Sequence, residues 1–271
     1  LRESVGGIKH PAFRDAVALT RQGGREATGR YLVEDADQVR QALASPSPVY
    51  AVFATPEGAP ELEGPCAEKG VPLYVLGGGL ITKLLGTAYA TSTTAVAVVG
   101  RRVFSLADVL RDRPDALILA AERIQDPRNV GVLIRTAEAS GCAALLLSAD
   151  SAEPFSRQAV RSTTGSVLRL PVCLAPDLPA ALAELRDTHG ARVVATDERA
   201  PHLAYDADLS GRPLAMLMGN ETEGLSGAAL AAATDYVRLP MAPAGASSLN
   251  VTVAAGALVY EAVRQRLTAR P

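Results

Sequence analysis

Short apolar runs of strand length recur along this chain, and stretches with helical periodicity lie between them. Residues 116–121 form one such run. Val130, Leu133, Ile134, Ala137 and Gly141 come next at the spacing of one helical face, and a second run fills 143–147. Strand, helix and strand at this length make a parallel βαβ unit. The alternation continues, predicting helices over 156–163, 178–189 and 227–233 and strands over 172–174, 192–196, 214–218 and 236–239. A long terminal helix is expected over 249–267. The expected fold class is α/β, built on a mostly parallel sheet.

A smaller α/β run precedes this one. Its periodicity predicts helices over 11–22, 36–44, 60–69 and 80–85 and strands over 31–34, 49–54, 72–76 and 95–99, with Gly and Pro clustered between them. The charged stretch 100–114 holds Arg101-Arg102 and Arg111-Asp-Arg-Pro114 and reads as a linker, or a short helix over 106–111, between domains. With 271 residues there is room for two domains, and the expected division is 1–100, a linker over 101–114, and 115–271.

Composition removes several functional classes. With 48% of residues apolar and 21% charged, the chain is not of disordered type. No apolar run approaches the ~18 residues of a membrane helix. The opening Leu1-Arg-Glu-Ser-Val-Gly6 has no signal-peptide core, and a start at Leu rather than Met implies a different natural terminus. Cys66, Cys142 and Cys173 are odd in number and lack C-x-x-C spacing, while His10, His189 and His202 lie far apart. A disulfide framework and a metal centre are both disfavoured, and a reduced cytoplasm is expected. The net charge of −2 offers no general affinity for phosphates. Positive charge is concentrated only locally, in Arg2, Lys9, Arg14, Arg21, Arg25 and Arg30, and again in Arg123, Arg128 and Arg135, which Arg157 and Arg161 could join. Each of these arginines reads equally well as part of a solvated helix face.

Open parallel sheets bind ligands beyond the carboxyl ends of their strands. Three segments fall there. The first is Asn129-Val-Gly131-Val-Leu-Ile-Arg135-Thr-Ala137. Asp126-Pro127 forms a turn, Asn129 is suited to cap the helix, and Arg135 lies off the apolar stripe, able to project toward the strand ends or to pair with Glu138. The second is Gly219-Asn-Glu221-Thr-Glu223-Gly224-Leu225, directly after the apolar residues 215–218. Glycine at a strand end admits a ligand close to the backbone, and Glu221 could accept from a ribose hydroxyl or an Arg. The same residues also suit a plain tight turn with two exposed acids. The third runs from Leu239-Pro240-Met241 to Ser248-Leu249-Asn250-Val251. Here Ser248 is either a simple helix cap, with Asn250 in the first turn, or part of a helix start that offers N–H groups to a ligand. There is no G-x-G-x-x-G, and Gly77-Gly-Gly79 lacks the strand-then-helix context, so a nicotinamide site is disfavoured.

In this order and at these separations, the three segments resemble the signature motifs of the SpoU/TrmH family of RNA ribose 2′-O-methyltransferases, in the SPOUT superfamily. The resemblance covers 115–267 and includes the ending Tyr260-Glu-Ala-Val-Arg-Gln-Arg266. Tyr31-Leu-Val-Glu34 and the helix after it resemble a small L30e-like substrate-binding domain, although family members carry Gly where this chain has Asp35. The resemblance implies a deep trefoil knot in the carboxyl-terminal domain, an exception to the rarity of knots. It also implies a homodimer, in which the catalytic Arg works beside the partner's cofactor. S-adenosylmethionine would be bound mainly by backbone groups, with Gly219, Asn220, Gly224, Leu239, Met241, Ser248 and Leu249 as candidates. The six residues between Met241 and Ser248 exceed the usual five by one, which displaces Gly245.

The implied chemistry is an in-line displacement at the sulfonium methyl by a ribose 2′-oxygen, with no metal. A ribose hydroxyl is a poor nucleophile, so alignment and electrostatic stabilisation matter. A guanidinium stays charged, which makes Arg135 an orienter and stabiliser rather than a base. Asn129, Glu221, Ser248 and Asn250 complete the catalytic candidates. Candidate RNA contacts are Arg14, Arg21, Arg25, Arg30, Arg128, Arg157 and Arg161. The expected substrate is ribosomal RNA, most simply of the large subunit, with self-protection against a ribosome-targeting antibiotic as one role open to family members. Transfer-RNA methylation, a catalytically inactive RNA-binding module and a nucleotide-binding metabolic enzyme are the competing readings.

Overall fold

The computed structural model describes residues 2–269 except 78, 88–91, 112, 212, 243–244 and 246–247. The chain forms two compact units. One comprises Leu1–Arg102 with Pro154–Arg169, and the other Val103–Glu153 with Leu170–Pro271.

The first unit runs β1 (Arg2–Val5), α1 (Pro11–Ala18), α2 (Gln22–Thr28), β2 (Arg30–Glu34), α3 (Ala36–Ala44), β3 (Val49–Ala54), α4 (Ala59–Lys69), β4 (Leu73–Leu76), α5 (Leu80–Leu85) and β5 (Ala95–Gly100). Its sheet has the order β1-β4-β3-β5-β2, with β5 antiparallel to both β2 and β3 and the other pairings parallel. Phe13, Leu32, Phe53, Leu84 and Val96 are buried together on one side of it. The helix expected over 11–22 ends at Ala18, and a second helix that was not expected follows over Gln22–Thr28. Gly24 packs so tightly on the end of α1 that a Cβ there would lie 2.1 Å from the Ala18 carbonyl oxygen. The strand β1 escaped sequence reading because three of its four residues are exposed and carry no alternation. Asp35 has φ 73° and ψ 137°, a conformation that favours glycine. Its carboxylate accepts from Thr93 Oγ1 at 3.0 Å.

The second unit contributes α6 (Leu106–Leu110), β6 (Leu117–Ala121), α7 (Pro127–Ala139) and β7 (Ala144–Ser148). The chain then forms α8 (Arg157–Thr163) and a short 3-10 turn over Ser166–Leu168, both of which belong to the first unit although the periodicity places them in the second run. An ion pair between Arg157 and the buried Glu34 anchors α8 to β2, and Phe155 lies 5.2 Å from the Tyr31 ring. That carboxylate raises the Arg157 pKa above its ordinary value. The second unit resumes with β8 (Val172–Ala175), α9 (Leu178–His189), β9 (Arg192–Thr196), β10 (His202–Leu203), β11 (Leu214–Met218), α10 (Gly227–Ala232), β12 (Asp235–Arg238) and α11 (Val251–Thr268).

Among the described residues its sheet has seven strands, all parallel, in the order β10-β12-β9-β11-β6-β7-β8. From β6 the chain fills one edge with β7 and β8, then returns to lay β9 to β12 on the other side. The reversal places β11 between β6 and β9, so their carboxyl ends stand together: Met218 pairs with Ala121 and Leu217 with Ala195. A crevice at such a reversal is where open sheets bind ligands. Strand residues from Leu117 to Ala121 and from Leu214 to Met218 are buried throughout, as fully covered parallel strands require.

Candidate active site

The site is built from the segments that leave the carboxyl ends of the strands. After β11 the chain makes a closed turn: Asn220 N donates to the Gly224 carbonyl at 3.1 Å, and Gly224 N returns a bond to Asn220 O at 3.0 Å. The Asn220 side-chain oxygen accepts from the amides of Thr222 (2.8 Å) and Glu223 (2.9 Å). Gly224 has φ 70°. A Cβ on Gly219 would stand 2.6 Å from the Gly224 carbonyl carbon, so glycine is required by the chain's own approach, whatever a ligand asks of it.

The segment after β6 holds this turn from the side. Glu122 is buried, and its two oxygens accept from Ser226 N at 2.7 Å and Ser226 Oγ at 2.6 Å. Arg123 Nη1 donates to Glu223 Oε2 at 2.8 Å. Asn129 Nδ2 donates to Glu221 Oε1 at 2.7 Å, and Asn129 Oδ1 accepts from Asn250 Nδ2 at 3.3 Å. One side chain from each of the three sequence motifs thus meets in a single chain of hydrogen bonds.

Two local roles differ from expectation. Asp126, not Asn129, caps α7: its carboxylate accepts from Arg128 N at 2.8 Å, the helix starts at Pro127, and Asn129 falls inside the first turn. The terminal helix starts at Val251 with Asn250 as its cap, accepting from Thr252 N at 2.9 Å. Ser248 lies before that helix, exposed.

These segments enclose a cleft of about 770 Å³ beyond β9, β11 and β12. All seven cofactor candidates line it: Gly219, Asn220, Gly224, Leu239, Met241, Ser248 and Leu249. Glu221 is on the wall as well, whereas Asn129 and Asn250 are not and connect to Glu221 through the bonds above. Arg135 does not line the cleft. It is exposed on α7 and makes no side-chain hydrogen bond or ion pair among the described residues, so the local pairing with Glu138 is not formed. Sequence reading missed Glu122 as an anchor and Asp197, Glu198 and Arg199 as lining after β9. Asp197 directly follows a strand end, which was the available signal.

The cleft suits a ligand that carries positive charge and a flat ring able to lie on apolar side chains. Asp197, Glu198, Glu221 and Glu223 outnumber Arg199 and Arg238 on its walls. Met241 and Leu249 leave about 40% of their surfaces uncovered (40% and 41%), apolar area that a ligand would remove from water.

The candidate RNA contacts separate sharply. Arg14, Arg21, Arg128 and Arg161 are exposed, although Arg128 is held by Asp126 at 2.7 Å. Bonding to Arg128 in turn holds the Asp126 carboxyl below its usual range. Arg30 lies 3.7 Å over the Tyr50 ring. Arg25 is buried, with Nη1 donating to the Leu19 carbonyl at 2.8 Å, and Arg157 is engaged with Glu34; both are structural rather than surface charges. Of the six residues between Met241 and Ser248, Ala242 and Gly245 are the described ones.

Comparison with known proteins gives a consistent neighbourhood. The SpoU rRNA Methylase family matches residues 116–260. An uncharacterized tRNA/rRNA methyltransferase of Synechocystis sp. is 31% identical over 269 residues, covering 98% of this chain and 95% of that protein. The 23S rRNA (uridine(2479)-2′-O)-methyltransferase of Streptomyces viridochromogenes is 37% identical over 190 residues, covering 69% of this chain and 65% of its own length. The crystal structure of the SpoU methyltransferase AviRb from the same organism, in complex with AdoMet, superposes with a TM-score of 0.84 at 30% identity and covers 97% of this chain and 100% of that one.

Proposed function

The chain belongs to the SpoU rRNA methylase family, and on that premise we infer that its cleft holds S-adenosylmethionine for 2′-O-methylation of a ribose in ribosomal RNA. The observation that carries this reading is the assembly of all seven cofactor candidates around one cleft at the carboxyl ends of β9, β11 and β12. Large-subunit RNA is the proposed target, in keeping with the name of the Streptomyces relative.

When bound, S-adenosylmethionine supplies a methyl group already activated by the positive charge on sulfur. The work left to the protein is positioning and electrostatics. Gly219, Asn220 and Gly224 present turn backbone to the cleft, and Leu239, Met241 and Leu249 offer apolar contact. Asn129 orients Glu221 through its amide, and Asn250 orients Asn129 in turn. Glu221 is thereby aimed as an acceptor for a hydroxyl or a guanidinium.

Arg135 is the proposed orienter of the ribose and stabiliser of its developing negative oxygen. Because it stands exposed away from its own cleft, it serves the cleft of a second copy. Val253, Tyr260 and Leu267, at 57, 50 and 61% exposure, form an apolar stripe along α11 that supports a homodimer. The proposal is tested by methyl transfer to ribosomal RNA and by calorimetric titration of the donor. Arg135→Ala is expected to lower turnover at least about 100-fold with donor affinity intact. Near-normal turnover would remove Arg135 from the mechanism, and failure of the unaltered protein to bind the donor would remove the function itself.

A further inference from the structure

Arg123 is the first residue after the buried Glu122, and it reaches the turn 219–225 from both its backbone and its side chain. Its φ is 54°, in the left-handed region that side chains rarely adopt. Its amide donates to Ser148 Oγ at 2.8 Å, which ties this unusual conformation to the end of β7. Its carbonyl accepts from Asn220 Nδ2 at 2.7 Å. Its guanidinium donates to Glu223 Oε2 at 2.8 Å and to the Gly224 carbonyl at 3.4 Å.

These contacts have a common consequence. With the Asn220 Nδ2 group held by the Arg123 carbonyl, the Asn220 oxygen is turned inward, where it collects the amides of Thr222 and Glu223. The guanidinium closes the far side of the same turn at Glu223 and Gly224. An exposed ion pair to Glu223, itself 67% exposed, contributes little to folding stability. Its value lies in shape. We propose that Arg123 is a positioning residue, which sets the backbone of the turn 219–225 in donor-binding form before the donor arrives. The proposal deepens the methyl-donor reading above and rests on it.

The test is a double-variant cycle of Arg123→Ala and Glu223→Ala, with S-adenosylmethionine affinity measured by calorimetry and methyl transfer followed against donor concentration. Arg123→Ala is expected to raise the donor Kd and KM about tenfold while kcat at saturating donor stays within about twofold. Arg123→Lys retains a cation for Glu223 but loses the Gly224 contact, so it should recover part of the affinity. The double variant should be no weaker than the weaker single one. Additive losses, or a fall in kcat with donor Kd unchanged, would overturn the proposal. Glu223 is exposed, so Glu223→Ala is expected to fold even if Arg123→Ala does not, and a Glu223→Ala donor Kd equal to that of the unaltered protein would overturn it alone. If the unaltered protein bound no donor, the methyl-donor reading would fail first, a result distinguishable from any of these.

Discussion

On one side of the cleft, the turn 219–226 is held by Glu122, Arg123 and Asn129, whereas the described residues of 239–249 on the other side share one hydrogen bond, Gly245 N to Ala242 O at 3.1 Å. The first wall takes its shape from the fold, since Glu122 and Arg123 directly follow β6 and Asn129 sits on α7. The second contributes exposed Met241, Ser248 and Leu249, whose surfaces a ligand entering the cleft would cover. Affinity in such a site is divided: a pre-organised wall avoids ordering costs on binding, and the other supplies new apolar burial.

Perturbing each wall separately tests that division. The largest effect is expected from Gly219→Ala, because the added carbon would sit 2.6 Å from backbone that cannot withdraw. A loss of about 3 kcal/mol in stability and failure to bind donor are expected by urea unfolding and calorimetry. A well-folded Gly219→Ala protein with normal affinity would mean that the first wall is not rigid. Glu122→Ala should cost about 2 kcal/mol, since it leaves the Ser226 amide and hydroxyl without the acceptor that both of them use. Asn250→Ala removes the cap of α11 and the bond to Asn129, for an expected loss of about 1 kcal/mol on thermal unfolding. At the small end, Gly245→Ala and Ser248→Ala should each change stability by less than about 0.5 kcal/mol. Ser248→Ala should nonetheless weaken donor binding measurably. Equal stability losses on both walls would erase the difference between them.

Outside the cleft, Asp35 shows how a departure from family pattern acquires a physical meaning only in three dimensions. Its φ of 73° lies in a region that favours glycine, which gives the expected glycine a physical reason. Asp35→Gly should relieve that strain by about 1 kcal/mol, less whatever the Thr93 bond contributes, and a lowered melting temperature would show that the bond outweighs the strain.

Local periodicity determined much of the architecture. The strand Leu214–Met218 and the helix Leu178–His189 begin and end where their apolar spacing does, and the three motifs fall beyond strand ends as the alternation implies. What periodicity could not supply was the strand order. Glu122 with Ser226, Arg123 with Glu223 and Asn129 with Glu221 lie about a hundred residues apart in sequence (separations of 104, 100 and 92). They meet only because β11 inserts beside β6. Nor could spacing show that α8, cut from the second run, docks on β2 through Glu34 and Arg157. Hydrophobic spacing encodes which face of an element is covered. Which element covers it, and therefore which polar side chains come within bonding distance, is decided by the packing of the whole chain.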